Sequence, residues 1–375
     1  MSRELEASST PVRANILLGE CARAADQWCD TRVSRETALQ QLMQAGAEYY
    51  RYREGAVDGR VGRPGALLDR FRAPTSEWID EAESVPLLES TYSGLQVTSY
   101  TEFLLDEYGP EPRLEVAQQV VETVRQSLFE ASDREEAETQ YRAFRQRLIE
   151  EPVRPKIEAM TFAKAHGVSL HDLFEVHIPA SCLVSVEEEK VCVPCSRCGY
   201  PLRRGQDSTN GEPVRLSCQS PRCAEEGAAV DVWTDGRYRV GAGASYEAPP
   251  LREADGLVCL RRGIWRYTVL PGLIEVELRD RLEQKSDVEV TMWPELDAYD
   301  LRVDTPDESY QVDVKDWTLP RYSIRRLPPR SPDQPTMHVV VPDERADHLS
   351  TLKEADQPPG YHVETMTQFG DRIIS

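Results

Sequence analysis

The fold of the C-terminal part is decided by one stretch of sequence, residues 271–317: PGLIEVELRDRLEQKSDVEVTMWPELDAYDLRVDTPDESYQVDVKDW. It predicts a helix that opens at Pro271 and is followed by three short strands. Pro306 and Asp307 predict a turn that joins the last two strands into an antiparallel hairpin. The predicted strands are Val288–Met292, Tyr299–Val303 and Tyr310–Lys315. Further along, MHVVVPDER predicts another core strand, and residues 361–369 predict a final strand.

Side-chain alternation in the hairpin brings two acids together. Alternate residues of a strand point to opposite faces, so Asp313 and Lys315 share one face of the third strand. If the hairpin closes symmetrically about its turn, Asp300 lies directly opposite Asp313, with Cβ atoms about 5 Å apart. Facing carboxylates repel each other, and a divalent cation removes the repulsion. We therefore expect Asp300 and Asp313 to hold Mg²⁺ or Mn²⁺, beside a catalytic Lys315 that orients or helps deprotonate a water molecule.

A third acid is expected from the preceding helix. The predicted buried face of this helix is formed by Leu273, Ile274, Leu278 and Leu282. Glu277 lies inside that arc and Glu275 lies at its edge. A carboxylate on the inner face of a helix is unfavourable unless it meets a metal or a partner. We therefore expect Glu277 in the catalytic site, with Glu275 as the alternative.

The cysteines are unevenly spread, because five of the nine fall within residues 192–223. Cys195 and Cys198 form one pair, and Cys218 and Cys223 form a second pair. Two such pairs on adjacent hairpins predict a zinc ribbon, in which four cysteines hold one Zn²⁺ tetrahedrally. An odd number of clustered cysteines favours thiols and a metal site over disulfides.

Two questions about this ribbon stay open. Cys192 is a fifth candidate ligand, because two residues also separate it from Cys195. Gly199, which directly follows Cys198, favours the pair of Cys195 and Cys198 instead. The ribbon is either a structural zinc staple or a nucleic-acid contact made through Arg203 and Arg204.

Composition limits the partners and the location. Asp and Glu number 65 against 44 Lys and Arg, which gives a net charge of −21. So acidic a chain does not coat nucleic acid generally, because such coats neutralise phosphates. One segment reverses this sign: Lys315 to Arg330 contains five basic residues and one acid. Candidate DNA contacts in it are Trp317, Arg321, Arg325 and Arg326. The sequence has no apolar run of about 18 residues and no signal-peptide pattern, which predicts a cytoplasmic protein without membrane contact.

The expected fold class is a multidomain α+β protein with a mostly helical N-terminal half, a four-cysteine ribbon and a C-terminal α/β mixed sheet. The expected domains are a helical partner-binding domain at 1–150, a helical connector at 151–190, the ribbon at 191–224, a linker at 225–258 and the mixed-sheet domain at 259–375. The connector pattern TFAKAHGVSLHDLFEV also fits a helix-turn-helix, although its second helix carries no Arg or Lys.

The order of a helix with an inner Glu, a strand, an Asp-led strand, a turn and an Asp-x-Lys strand resembles the PD-(D/E)xK restriction-endonuclease-like superfamily. The resemblance covers about residues 259–375. It implies that Asp300 and Asp313 are the metal ligands and Lys315 the catalytic lysine. One departure is Tyr299, where the superfamily often has Pro.

The segments WRYTVLPGLIEVELRDRL, MWPELDAYDLRV and VDVKDW, behind a ribbon and a helical N-terminus, resemble the nuclease component of bacterial PIWI-RE operons. This resemblance implies a role in defence against invading DNA, beside an Argonaute-like PIWI-RE protein and a DinG-type helicase. We therefore predict a Mg²⁺-dependent DNA endonuclease that hydrolyses phosphodiester bonds. The alternatives are a catalytically silent DNA-binding adaptor and a scaffold that recruits a helicase or an Argonaute-like partner.

Overall fold

The chain folds into two compact units, Met1–Val116 with Gly205–Ser208, and Ala117–Arg204 with Thr209–Ser375. The computed structural model describes residues 10–29, 33–53, 64–79, 82, 84–91, 94–98, 100–101, 104–105, 113–131, 133–205, 212–220, 222–223, 228–240, 250–316, 327–346, 349 and 358–374. The helices are α1 Thr10–Cys29, α2 Arg35–Tyr52, α3 Pro64–Phe71, α4 Arg113–Ala131, α5 Arg134–Glu150, α6 Lys156–Ala165, α7 Leu170–Leu173, α8 Leu270–Leu282 and α9 Met366–Ile374.

The strands are β1 Leu88–Thr91, β2 Gly94–Val97, β3 Val153–Pro155, β4 Val184–Val186, β5 Glu189–Cys192, β6 Arg203–Arg204, β7 Val214–Ser217, β8 Ala229–Val232, β9 Tyr238–Val240, β10 Arg252–Glu253, β11 Leu257–Cys259, β12 Glu289–Met292, β13 Leu301–Asp304, β14 Ser309–Val314, β15 Met337–Val341 and β16 Tyr361–Thr365. Helices therefore fill most of the described N-terminal half, as expected, and the β1–β2 hairpin is its main departure. None of the helices in the described residues has the length and apolar character that crossing a membrane requires.

The first unit is built on α1, α2 and α3. Ser34 caps α2 by accepting a hydrogen bond from the backbone N–H of Thr37, 3.1 Å. Trp78 packs against Tyr49 and Phe71, with ring centroids 5.6 and 6.0 Å apart. This aromatic group joins α2 to α3 and to the segment that follows α3.

The boundary between the units differs from the expected one, because α5 and most of α4 belong to the second unit. The apolar stripes of these helices are buried in the same core as α8 and the C-terminal strands; Val124, Tyr141, Phe144 and Leu148 are its most buried members there. Gly272 permits the close approach of α8, since a Cβ there would collide with Ile149 of α5. Residues 117–150 are therefore part of the C-terminal body.

The connector is less helical than a helix-turn-helix requires. Helix α7 is a single turn, capped by Ser169 and Asp172, and Phe174 then enters a bridge with Leu260. Strand β3 pairs antiparallel with β11, which ties the connector to the start of the C-terminal domain. A one-turn helix that carries neither Arg nor Lys is shorter than a reading helix, so the structure does not support the helix-turn-helix alternative for the connector.

The segment expected to be a linker, residues 225–258, instead contains four strands. Strands β8 and β9 complete a four-stranded antiparallel sheet with β6 and β7, and Val230 and Val232 are buried in it. Strand β10 pairs with β5 in a second small sheet. The ribbon therefore extends well beyond its expected end at residue 224.

The C-terminal sheet has five strands in the order β12-β13-β14-β15-β16. The first three are antiparallel, and β14, β15 and β16 are parallel, which confirms the mixed sheet. Helix α8 joins one face, where Leu278 and Phe369 share a core with Val312 and Val314. The final strand is shorter than expected: β16 ends at Thr365, and the following residues form α9.

Candidate functional site

The hairpin of β13 and β14 brings the two predicted metal ligands to the same end of the sheet. Its ladder pairs Val303 with Tyr310 and ends with Leu301 opposite Val312. The next hydrogen bond leaves that register, because the backbone N–H of Asp300 donates to the carbonyl oxygen of Val312, 3.1 Å. The predicted direct pairing of Asp300 with Asp313 thus lies beyond the paired residues, and the two acids come together through their contacts with Lys315.

Lys315 lies between these two acids. Its Nζ atom is 2.6 Å from Oδ1 of Asp313 and 3.9 Å from Oδ2 of Asp300. Burial alone would lower the pKa of Lys315, but the charges of Asp313 and Asp300 outweigh it and raise the pKa. The ammonium group therefore stays charged and offsets the repulsion between the acids.

Asp300 is held by a backbone hydrogen bond and lies among several charged groups. Its Oδ2 atom accepts a hydrogen bond of 2.6 Å from the backbone N–H of Val314. Burial and the nearby charge of Glu275 raise the pKa of Asp300 well above its ordinary value, although Lys315 opposes this shift. A carboxyl group so crowded by other acids is one whose ionised form a bound cation would stabilise.

The helical acid of this site is Glu275, which corrects the expectation for Glu277. The side chain of Glu275 is 2% exposed, and burial raises its pKa while Arg145 opposes the shift. The side chain of Glu277 is 51% exposed and points to the opposite side of α8, where Arg197 and Arg222 contact it. Glu277 is thus not brought together with Asp300, Asp313 and Lys315.

The error came from the rotation of the helix. The buried positions of α8 include Ile274, Glu275 and Leu278, whereas Leu273 lies on the border of a cleft. Because the predicted buried face of the helix included Leu273, it was rotated toward Glu277. The helix also starts earlier than Pro271: a π-helical turn, Trp265–Val269, leads directly into it. The wider turn accommodates a proline, which has no N–H to donate.

Helix α5 supplies a cation beneath the site that the sequence reasoning missed. Arg145 is 6% exposed and donates through one Nη atom to Glu275, 3.2 Å, and through the other to Asp297, 2.7 Å. Tyr141 also donates to Asp297, 2.7 Å, and the indole N–H of Trp293 donates to Glu275. The signal in the sequence was an arginine within the apolar stripe of Tyr141, Phe144 and Leu148.

The loop between β12 and β13 carries unusual backbone geometry. Trp293, Glu295, Leu296 and Asp297 have φ values of 46°, 56°, 57° and 72°, in the left-handed region that non-glycine residues rarely adopt. Such a conformation persists only where surrounding contacts determine it. Here the hydrogen bonds of Trp293 and Asp297 to the buried network hold the loop that leads directly into Asp300.

The four predicted zinc ligands form a second site. The sulfur atoms of Cys195, Cys198, Cys218 and Cys223 all lie within 4.8 Å of one another, and all four residues are buried. Cys198 and Cys218 have sulfur atoms 3.6 Å apart. An edge of about 3.8 Å follows from a tetrahedron with Zn–S bonds of about 2.3 Å, so the spacing fits zinc.

The local backbone explains this geometry. Gly199 has φ +65° after the second cysteine, and a Cβ there would meet Pro152 at 2.8 Å. The backbone N–H of Ser220 donates to the sulfur of Cys218, 3.4 Å. Cys192 lies outside the cluster in β5, and burial raises its pKa to about 11. The preference for the Cys195 pair is therefore confirmed.

The two sites differ in how they suit a metal. Within the described ranges of the chain, only the cysteine cluster brings three or more side chains with metal-binding atoms within 4.8 Å of one another. Asp300 and Asp313 carry the hard carboxylate oxygens that Mg²⁺ prefers, and both lie close to the Lys315 ammonium, at 3.9 and 2.6 Å. The predicted DNA contacts Trp317, Arg321, Arg325 and Arg326 lie outside the described residues.

A comparison with known families supports a restriction-endonuclease-like module in the mixed-sheet part of the chain. Residues 272–374 match a family model, pPIWI_RE_REase, described as "REase associating with pPIWI_RE". The match begins at the third residue of α8 and does not reach the cysteine cluster. No curated protein and no solved structure matches the chain.

Proposed function

We propose that the C-terminal module is a metal-dependent endonuclease that hydrolyses phosphodiester bonds in DNA. The observation that carries this proposal is the contact of Lys315 with both acids, 2.6 Å from Asp313 and 3.9 Å from Asp300. The family match over residues 272–374 supports the same reaction class. Glu275 replaces Glu277 as the acid that the helix contributes.

The roles follow from the geometry and the charges. Asp300 and Asp313 would hold Mg²⁺ or Mn²⁺, which supplies Lewis-acid stabilisation of the phosphate when bound. Because its pKa is raised, Lys315 remains protonated and donates hydrogen bonds to water and to a phosphate oxygen. Hydrolysis forms a bond from the water oxygen to phosphorus and breaks the bond to the leaving oxygen, which takes up a proton. The four cysteines would hold one structural Zn²⁺.

The family description supports a pPIWI_RE partner, whereas the helicase rests on the resemblance of the sequence alone. We propose that the chain acts beside an Argonaute-like pPIWI_RE protein and a DinG-type helicase in defence against invading DNA, with residues 1–116 contacting a partner. The net charge of −21 works against binding of the isolated chain to the DNA phosphates, so this chain alone should bind DNA weakly. Cutting should therefore be stronger in the complex. Trp317, Arg321, Arg325 and Arg326 are the proposed local DNA contacts.

The test is a plasmid-nicking assay with Mg²⁺ or Mn²⁺, run with and without a pPIWI_RE protein. Asp300→Asn, Asp313→Asn and Lys315→Met should each reduce cleavage at least about a hundredfold. Asp304→Asn is the matched control, because Asp304 lies on the same face of β13 but pairs with Arg302, 2.9 Å. If Asp313→Asn cuts like the parent, the nuclease proposal gives way to the DNA-binding adaptor.

A second experiment addresses the partner. Deleting residues 1–116 should abolish co-purification with the pPIWI_RE protein. The deletion must end there, because removal of residues up to 150 would also remove Arg145 and Tyr141 from beneath the site. Unchanged co-purification would refute the assignment of partner binding to this segment.

A further inference from the structure

The two cysteine pairs each carry an arginine at the same position. Arg197 directly precedes Cys198, and Arg222 directly precedes Cys223. Because the four sulfur atoms converge on one point, the cysteine that follows each arginine is anchored there. The two arginines are therefore presented from a rigid base, and their side chains are only 11% and 17% exposed.

Both arginines contact the same carboxylate oxygen. Nη2 of Arg197 and Nη2 of Arg222 each lie 3.2 Å from Oε2 of Glu277. Arg222 also lies 3.3 Å from Glu344, which follows β15. Charge-assisted hydrogen bonds to one acceptor fix its position more firmly than a single exposed ion pair does.

Helix α8 is thus held from two sides. On its inner side Glu275 meets Arg145 and Trp293, and two residues later Glu277 meets the arginines of the ribbon. A cleft of about 670 Å³ lies between the ribbon and this outer side of α8, and Leu273 and Val276 line it. Packing is therefore sparse there, and polar contacts across the cleft determine where the outer side of α8 lies.

We propose that the zinc site positions the helix that carries Glu275, through a clamp formed by Arg197, Arg222 and Glu277. Zinc fixes the two arginines, the arginines hold Glu277, and the rigid helix transmits this position over two residues to Glu275. These three are positioning residues, since none of them touches the hairpin acids. The inference rests on the proposed function in taking Glu275 as part of the nuclease site, but its test measures the helix itself.

The test is amide hydrogen exchange over residues 273–282 in the full-length, zinc-loaded chain, followed by mass spectrometry. Glu277→Gln should exchange about fivefold faster in this segment than the parent, because local opening then breaks fewer charged contacts. Asp280→Asn is the matched control: it removes the same charge from the same helix, but Asp280 pairs with Arg279, 2.6 Å, and not with the ribbon. The control should exchange like the parent.

A second measurement separates the clamp from damage to the zinc site. With Co²⁺ in place of Zn²⁺, Glu277→Gln should keep the parent's tetrahedral thiolate–cobalt absorption while its helix exchanges faster. The clamp would be refuted if residues 273–282 exchanged at the same rate in Glu277→Gln as in the parent. It would also be refuted if Glu277→Gln and Asp280→Asn exchanged equally fast. A parent that never cuts DNA would refute the nuclease proposal alone, because the exchange rates do not depend on cleavage.

Discussion

The cysteine cluster and the carboxylate site solve the same electrostatic problem in different ways. Each gathers groups that repel one another when ionised: four thiolates in one, Asp300, Asp313 and Glu275 in the other. The carboxylate site contains its own cations, Lys315 between the hairpin acids and Arg145 beneath the helical acid. No such cation lies among the four cysteines, so their sulfur atoms are neutral only as protonated thiols, and as thiolates they need a metal ion.

This difference separates a structural metal from an exchangeable one. A site that needs its ion to fold keeps it permanently, whereas a site already neutralised by protein cations folds without metal and can bind and release it. The carboxylate site therefore suits catalysis, and the cysteine site suits support. Four predictions examine this comparison.

The largest effect is expected at the cysteine cluster. Cys198→Ser should remove zinc and lower the free energy of unfolding by about 5 kcal/mol or more, which leaves the protein largely insoluble. Metal analysis of the freshly purified protein and its soluble yield measure this. Cys192→Ser is the control, because Cys192 is equally buried but lies outside the cluster, and it should retain zinc. The reverse pattern would show that the ligand set is wrong.

A smaller loss is expected for Arg145→Met. Without this guanidinium, Glu275 and Asp297 remain buried with no cation between them, at a cost of about 3 kcal/mol. Chemical denaturation measures the change. Arg142→Met on the same helix should cost less than about 1 kcal/mol, since Arg142 is partly exposed and pairs with Glu138. Similar losses in the two variants would mean that the buried network contributes nothing special.

The second cation of the carboxylate site is Lys315, and its removal should make this site depend on a metal as the cysteine site does. Lys315→Met should lower the free energy of unfolding, measured without metal, by about 2 kcal/mol, since Asp300 and Asp313 then lie near each other without the cation that neutralises them. Mg²⁺ should restore this loss, so its effect on the melting temperature exceeds that in the parent. Lys285→Met, which loses a contact to the carbonyl oxygen of Ile373, should show no such dependence on Mg²⁺. A Mg²⁺ response unchanged by Lys315→Met would show that the ion does not take over the neutralising role of the ammonium group.

The smallest effect concerns pH. The pKa of Asp300 is raised in the folded protein, so its stabilising contribution is present below the unfolded carboxyl value of about 3.9 and is lost as pH rises through the folded pKa. Asp300→Asn should therefore be more stable than the metal-free parent at pH 7, by about 1 kcal/mol, and equally stable near pH 4 and below. The asparagine can still accept the N–H of Val314. Denaturation curves across this range would contradict the assignment if the variant were the less stable at pH 7.

The features that could be predicted from the sequence alone are the ones that depend on local geometry. Cysteines separated by two to four residues approach one another in almost any hairpin, so the zinc ligands could be found from spacing alone. The meeting of Asp300, Asp313 and Lys315 follows from the two-residue period of strands and from the one short turn between β13 and β14. These relations connect residues at most about 30 positions apart, and they hold wherever the hairpins lie in the fold.

Only the tertiary structure decided the rest of the site. Periodicity gives the angles between residues around α8 but not the absolute rotation of the helix, and that rotation separated Glu275 from Glu277. Which side of α8 is buried depends on α5, whose Arg145 lies 130 positions before Glu275 in the chain. No local pattern encodes such a pairing, because the contact exists only after the two helices have packed at Gly272. For the same reason the sequence predicts a linker where β8 and β9 lie: the burial of β8 depends on its pairing with β7, and β9 pairs in turn with β8.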